Sequence, residues 1–314
     1  MYGWEQVFAE YPYLRTAWDA LIILVPLATM IAYAGIYFIS ATAKILSIAR
    51  KRAAFDKCSR QLALLGLIMG WTLLVCGRVW LYQTSSEHPQ GTLESFLLEM
   101  SWLLLSLGVL LSSIYYCLWR ILRNMPVLHS TLGMISAVQN CLAYAVIFFT
   151  IRTCAISGNL HESAFSLPDL FPDTWNDPLW SAVCYTLPLL FAMPGAISAC
   201  WLVFRRKKDD FGRDYYNAMI PWVCAWARNA WSVLWLLLLV SSLLQIWQET
   251  QQGDLGWQQI ILDGDRVLVW LVPLLLWIAV IRSRIPMRLS WMLFAAFILA
   301  GFFMVPYYFE IIHI

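Results

Sequence analysis

The chain has 314 residues, 61% of them hydrophobic and only 13% charged, with a formal net charge of +2. Soluble globular chains are about half apolar and about a quarter charged, so this composition excludes a soluble domain, a disordered chain, a disulfide-stapled secreted module and a nucleic-acid binder. The 18 Trp point the same way, since indole rings collect where hydrocarbon meets water.

Apolar stretches of bilayer-crossing length, about 20 residues as a helix, occur eight times. They lie near 17–40, 61–83, 96–119, 131–151, 179–204, 217–246, 266–282 and 290–309. Residues 1–16, with Trp4, Tyr11 and Tyr13, read as an interfacial lead-in; Met-Tyr-Gly-Trp-Glu lacks the basic start of a cleavable signal. The loops alternate in charge. Loop one holds Lys44, Arg50, Lys51, Arg52, Lys57 and Arg60; loop three has Arg120 and Arg123. Loop five has Arg205, Arg206, Lys207, Lys208 and Arg213, and loop seven has Arg282, Arg284 and Arg288. The even loops carry Glu87, Glu94, Glu162, Asp169, Asp173, Asp177, Glu249, Asp254, Asp263 and Asp265, with Arg152 and Arg266 at their edges. The positive-inside rule therefore places the odd loops in the cytoplasm and both termini outside.

The two halves share a layout: helix, basic loop, helix, acidic loop, helix, short basic turn ending in Pro, helix. "RNMP" closes that turn at 123–126 and "SRIP" at 283–286. Four helices per half would make the repeats parallel, although convergence under the positive-inside rule produces the same punctuation. The expected architecture is all-α, with two four-helix bundles over residues 1–151 and 152–314.

The chemistry inventory is sparse. His88, His129, His161 and His313 provide no pair at matching depth for a membrane haem, and His129 reads as an interfacial or loop residue. The eight Cys form no C-x-x-C and read as packing residues. No phosphate-binding loop, nucleophile elbow or zincin motif is present. The expectation is a chain that binds neither haem nor metal.

Ionisable groups within spans default to functional hypotheses. Asp19 ends span one on the outer side, Arg78 lies near the outer end of span two in "CGRVWLYQ", and Glu99 lies one turn inside span three. With Trp80, Tyr82, Gln83 and Trp102 they form a candidate outer-leaflet site: a carboxylate to accept protons, a cation to polarise a carbonyl, and rings to flank a planar headgroup. The plainer reading is that each charge snorkels to the headgroups. Arg228 sits deeper, beside Asn229, and is expected to bond between helices, as are Gln139 and Asn140. Gly66-x-x-x-Gly70 reads as close helix packing, and Pro26, Pro188, Pro194 and Pro273 as kinks.

This layout resembles the anchor subunits of DMSO reductase and the related membrane subunits of polysulfide reductase and the nitrite-reductase system. "TAWDALIILVPLATMIAYAGIYFI" is similar to that family's first helix, and "PDTWNDPLWSAVCYTLPLLFAMPGAISACWLVF" looks like its entry to helix five. "LESFLLEMSWLLLSLG", with Glu99, resembles the start of its third helix, where a quinol-site carboxylate is found; "RNMPVL" resembles the turn into its fourth. A departure is "VCGRVW", where the DMSO-reductase branch has a His. The resemblance implies a multi-pass anchor in the bacterial cytoplasmic membrane that exchanges electrons with menaquinol or its quinone at the outer leaflet. Its partners would be an iron–sulfur subunit and a molybdopterin catalytic subunit docked on the outer face. Glu99 or Asp19 would take quinol protons and Arg78 would hold a carbonyl. The rival readings are a secondary transporter, with Arg228 on an anion path, and a purely structural subunit.

Overall fold

The computed structural model describes the backbone of residues 12–85, 93–159, 178–252 and 257–312, with side chains for most of 25–82, 95–151, 180–251 and 264–303. Long helices fill these ranges: α1 (Pro12–Arg50), α2 (Ala53–Ser85), α3 (Leu93–Cys117), α4 (Pro126–Asn159), α5 (Pro178–Asp209), α6 (Arg213–Gln252), α7 (Trp257–Arg282) and α8 (Ser290–Ile312). Seven of them are long and apolar enough among their described residues to cross a membrane, and α7 adds a shorter apolar stretch, Val267–Arg282. Among its described residues the chain is thus all-helical, and it is a multi-pass membrane protein.

The ends of the helices follow local chemistry. Lys51, in the left-handed region at φ 51°, turns α1 into α2, and Asp210 (φ 35°) with Gly212 (φ 87°) turns α5 into α6. A 3-10 turn, Ile121–Asn124, precedes Pro126 at the start of α4, and a second, Pro286–Leu289, precedes α8. Proline suits the first turn of a helix, where its missing N–H would have no partner.

Helix contacts run in sequence order. α1, α2, α3 and α4 touch as a closed ring, and α5, α6, α7 and α8 do the same. The chief joint between the two sets is α1 against α5, with lesser contacts of α8 to α1 and α4. One continuous apolar core spans both sets, from Tyr33 and Tyr37 through Met193 and Ala196 to Trp231 and Trp277.

Small residues set the tightest approaches, as membrane packing requires where lipid is as apolar as the side chains. Gly66 and Gly70 of α2 face α1, but they admit rings rather than backbone. A Cβ on Gly66 would lie 2.7 Å from the Tyr37 ring, and one on Gly70 2.6 Å from that of Tyr33. Among the described glycines the closest backbone approach is elsewhere, where a Cβ on Gly35 of α1 would overlap the Leu190 carbonyl oxygen of α5. Pro194 explains why that oxygen is available: it lacks the N–H that would close the helical bond to Leu190. The α-hydrogen of Gly35 can then point at the freed oxygen as a weak C–H···O contact. Pro26, Pro188, Pro194 and Pro273 all lie inside continuous helices, and Pro221 joins them.

Candidate functional site

The structure brings together part of the expected outer site. The Arg78 guanidinium on α2 lies over the Trp102 ring on α3, 4.9 Å from its centroid. Trp102 is tied from below as well, since its indole N–H donates to the Leu74 carbonyl at 3.4 Å, one turn before Arg78. The ring is therefore held between the two helices, with a cation on its face. Arg78 and Glu99 are both exposed on the bundle surface. Glu99 stands three residues before Trp102 and shares its side of α3, and Tyr82 stands four after Arg78 on the same side of α2. Tyr82 is 79% exposed. Trp80 is also exposed, but two residues from Arg78 it looks out on a different side of α2. The side chains of Asp19 and Gln83, and residues 160–177 of the acidic fourth loop, lie outside the described residues. What remains is a cation–indole pair between α2 and α3, with the exposed Glu99 and Tyr82 one turn away on either helix.

Arg228 departs from the expectation of interhelical bonding. It is half-buried on α6, and two of its five N–H groups, on Nε and Nη2, donate to the side-chain oxygen of Asn229, at 3.0 and 2.6 Å. An arginine about 22 Å along the helix thus finds its acceptor on its own exposed neighbour. Asn229→Leu should lower thermal stability in detergent by about 1 kcal/mol, the size of a typical polar contact within a bilayer protein. An unchanged melting temperature would mean that other groups serve the guanidinium. Gln139 and Asn140 do bridge helices: Gln139 donates to the Leu104 carbonyl (3.3 Å) and Asn140 to the Ser112 hydroxyl (3.2 Å).

A second polar region was not singled out by sequence reasoning. Tyr33, Tyr37, Ser40 and Lys44 fall at i, i+4, i+7 and i+11 on one face of α1, covering about 16 Å of helix. Tyr33 meets the Ser112 hydroxyl, which also contacts Ser136 at 2.8 Å. Nearer the odd-loop end, Ser40, Ser59 and the Tyr115 hydroxyl are mutually within 3.3 Å. His129 is buried just beyond them, in the first turn of α4 rather than in a loop. Its ring stacks on Tyr115 with centroids 4.5 Å apart, and its Nε2 contacts the Tyr115 carbonyl at 2.9 Å.

This polar face ends at a cavity of about 560 Å³ where loops one, three and five converge. Lys44, Lys57, Arg60, Arg120, Arg123 and Arg205 line it, against two carboxylates, Asp56 and Asp209. Lys44 is paired with Asp56. Arg205 takes Asp209 in a fork, with contacts of 2.9 and 2.6 Å. The buried Gln61 amide also donates to Asp209 and accepts from the Tyr215 hydroxyl. The sequence held one signal for this region: Asp56 and Asp209 are carboxylates placed inside predominantly basic loops.

No protein-family model matches the chain, and no curated protein or solved structure is significantly similar to it.

Proposed function

We propose that the chain is the membrane anchor of a bacterial respiratory oxidoreductase, and that a quinol binds in the lipid-facing groove between α2 and α3. The observation that carries this reading is the Arg78–Trp102 stack on the bundle surface, fixed by the Leu74 carbonyl. A lipid-soluble ring has direct access to such a groove, whereas a water-soluble substrate would have to cross hydrocarbon to reach it. The indole offers a flat apolar face, and Arg78 retains N–H donors for a quinone carbonyl. Glu99, one turn away, is the base for quinol protons. The bound quinol supplies the electron chemistry: two electrons leave for an iron–sulfur partner as two protons are released. By the positive-inside rule the basic odd-loop end is cytoplasmic, so the groove faces the outer leaflet and the acidic even loops receive the partner subunits. The two rings of helices, α1–α4 and α5–α8, correspond in this reading to the two four-helix bundles of such anchors.

A fluorescent menaquinol analogue titrated against the intact protein in nanodiscs tests the site. Arg78→Ala and Trp102→Leu are each expected to weaken binding about ten-fold or more, corresponding to about 1.4 kcal/mol or more. Glu99→Gln should bind nearly normally but lose quinol oxidation in the complex. Equal affinity in the wild type and all three variants would sink the site. Gentle purification should retain iron–sulfur and molybdopterin subunits, and isolation as a lone homo-oligomer would overturn the anchor role.

A further inference from the structure

We infer that the odd-loop cavity is a binding site for a phosphate-bearing ligand of headgroup or nucleotide size, separate from the α2–α3 groove. The charge balance is the first observation. Of the six cations lining the cavity, Lys44 and Arg205 are neutralised by Asp56 and Asp209. Lys57, Arg60, Arg120 and Arg123 have no carboxylate partner among the described residues, so the cavity keeps four positive charges.

The second observation is how the cavity is built. Basic residues at the inner ends of helices are ordinary in membrane proteins, but a solvated rim of charge needs no concavity and no fixed floor. Here three separate loops deliver their cations to one hollow, and its base is ordered by bonds among buried and part-buried groups. Gln61 holds Asp209 and is itself held by Tyr215, while the Trp201 indole donates to the Gln61 carbonyl at 3.0 Å. On one wall, Trp119 is fixed between Lys44, 4.9 Å from its ring centroid, and the edge-on His129 ring at 4.5 Å. On another, Lys57 lies over Phe211 at 4.7 Å. Aromatic walls beside free guanidinium groups suit a ligand with an organic body and a phosphate, and Arg forks match phosphate oxygens in pairs. A volume of about 560 Å³ lies within the range of pockets that enclose whole small molecules. Basic pockets between membrane helices at the cytoplasmic side also accept phospholipid headgroups. The shared chemistry is thus a phosphate di-anion or diester, reached either from the lipid or from water.

The test uses the full-length protein reconstituted in nanodiscs. One arm adds phosphatidylglycerol to a phosphatidylcholine bilayer and reads lipid retention by native mass spectrometry. The other adds inorganic pyrophosphate or ATP and reads the shift in melting temperature. The Arg120→Gln/Arg123→Gln double variant should lose at least ten-fold in affinity in whichever arm the wild type responds. The Lys207→Gln/Lys208→Gln double variant, which removes equal charge from the same face outside the cavity, should bind as the wild type does. A response confined to lipid retention identifies a headgroup, and one confined to the soluble arm identifies a free phosphate compound. Should the cavity variant fail to fold, competition on the wild type decides: pyrophosphate must displace retained phosphatidylglycerol, or one must bind saturably with one-site stoichiometry. No response in either arm, or equal losses in the two double variants, overturns the site. Because quinol binding is read at Arg78 and Trp102, failure here leaves the α2–α3 groove untouched.

Discussion

Gly35→Ala is expected to lower the stability of the folded protein by about 3 kcal/mol, the upper part of the range for overpacking a close contact. The added Cβ would overlap the Leu190 carbonyl oxygen and come within 2.8 Å of Pro194. Backbone cannot rotate away as a side chain can, so relief requires α1 and α5 to separate. That pair is the principal joint between the first four helices and the last four, and its loosening should be felt throughout. The control is Gly77→Ala, where the nearest atom to a new Cβ is a flexible Leu105 methyl at 3.9 Å. There the better helix propensity of alanine should leave stability equal or raised by about 0.5–1 kcal/mol. Thermal unfolding of both variants in one detergent makes the comparison. Matching melting temperatures would show that the α1–α5 joint is not as tight as described.

Trp231→Ala should be about as damaging, roughly 3 kcal/mol. Trp231 is wholly buried; its N–H donates to the Trp270 carbonyl at 2.8 Å, its ring stacks on Trp270 at 5.4 Å and meets the edge of Trp277 at 5.7 Å. In hydrocarbon the solvent-transfer part of the loss is small, but the vacated volume still costs the surrounding contacts. Trp231→Phe keeps most of the ring and should lose about 1 kcal/mol, the net value of one hydrogen bond. If the Phe variant fell as far as the Ala variant, the hydrogen bond would outweigh packing.

Trp231 belongs to a stripe on α6, with Trp222, Trp226 and Trp235, whose spacing alone suggests only packing. In the fold the stripe divides. Trp222 meets Phe55 of α2 edge-on and Trp226 stacks on Phe191 of α5, so the first pair bonds α6 inward. Trp231 and Trp235 instead dock on α7, Trp235 through the Val267 carbonyl at 3.0 Å. Periodicity reports that residues share a helix face but not which neighbour that face meets.

The candidate groove shows the same boundary. Arg78, Glu99 and Trp102 could be picked out because a charge or indole inside an apolar run is visible in a single helix. That Arg78 covers Trp102, while Trp80 looks elsewhere, depends on how α2 and α3 are rotated against each other. The basic cavity was harder to see, because each of its loops taken alone is what the positive-inside rule produces in any membrane protein.

Hydropathy and charge order were enough to mark a multi-pass helical membrane protein, to locate its helices, and to show how its basic and acidic loops alternate. Those properties are local: transfer of about 20 consecutive residues into hydrocarbon depends on their own side chains and on little else. Only the packed helices show that Gly35 opens α1 to α5, that Arg78 rests on Trp102, and that cations from three loops share one hollow. Each depends on contacts between residues tens to hundreds of positions apart, and in a lipid interior such pairings are selected by shape and hydrogen bonding, which hydropathy does not encode.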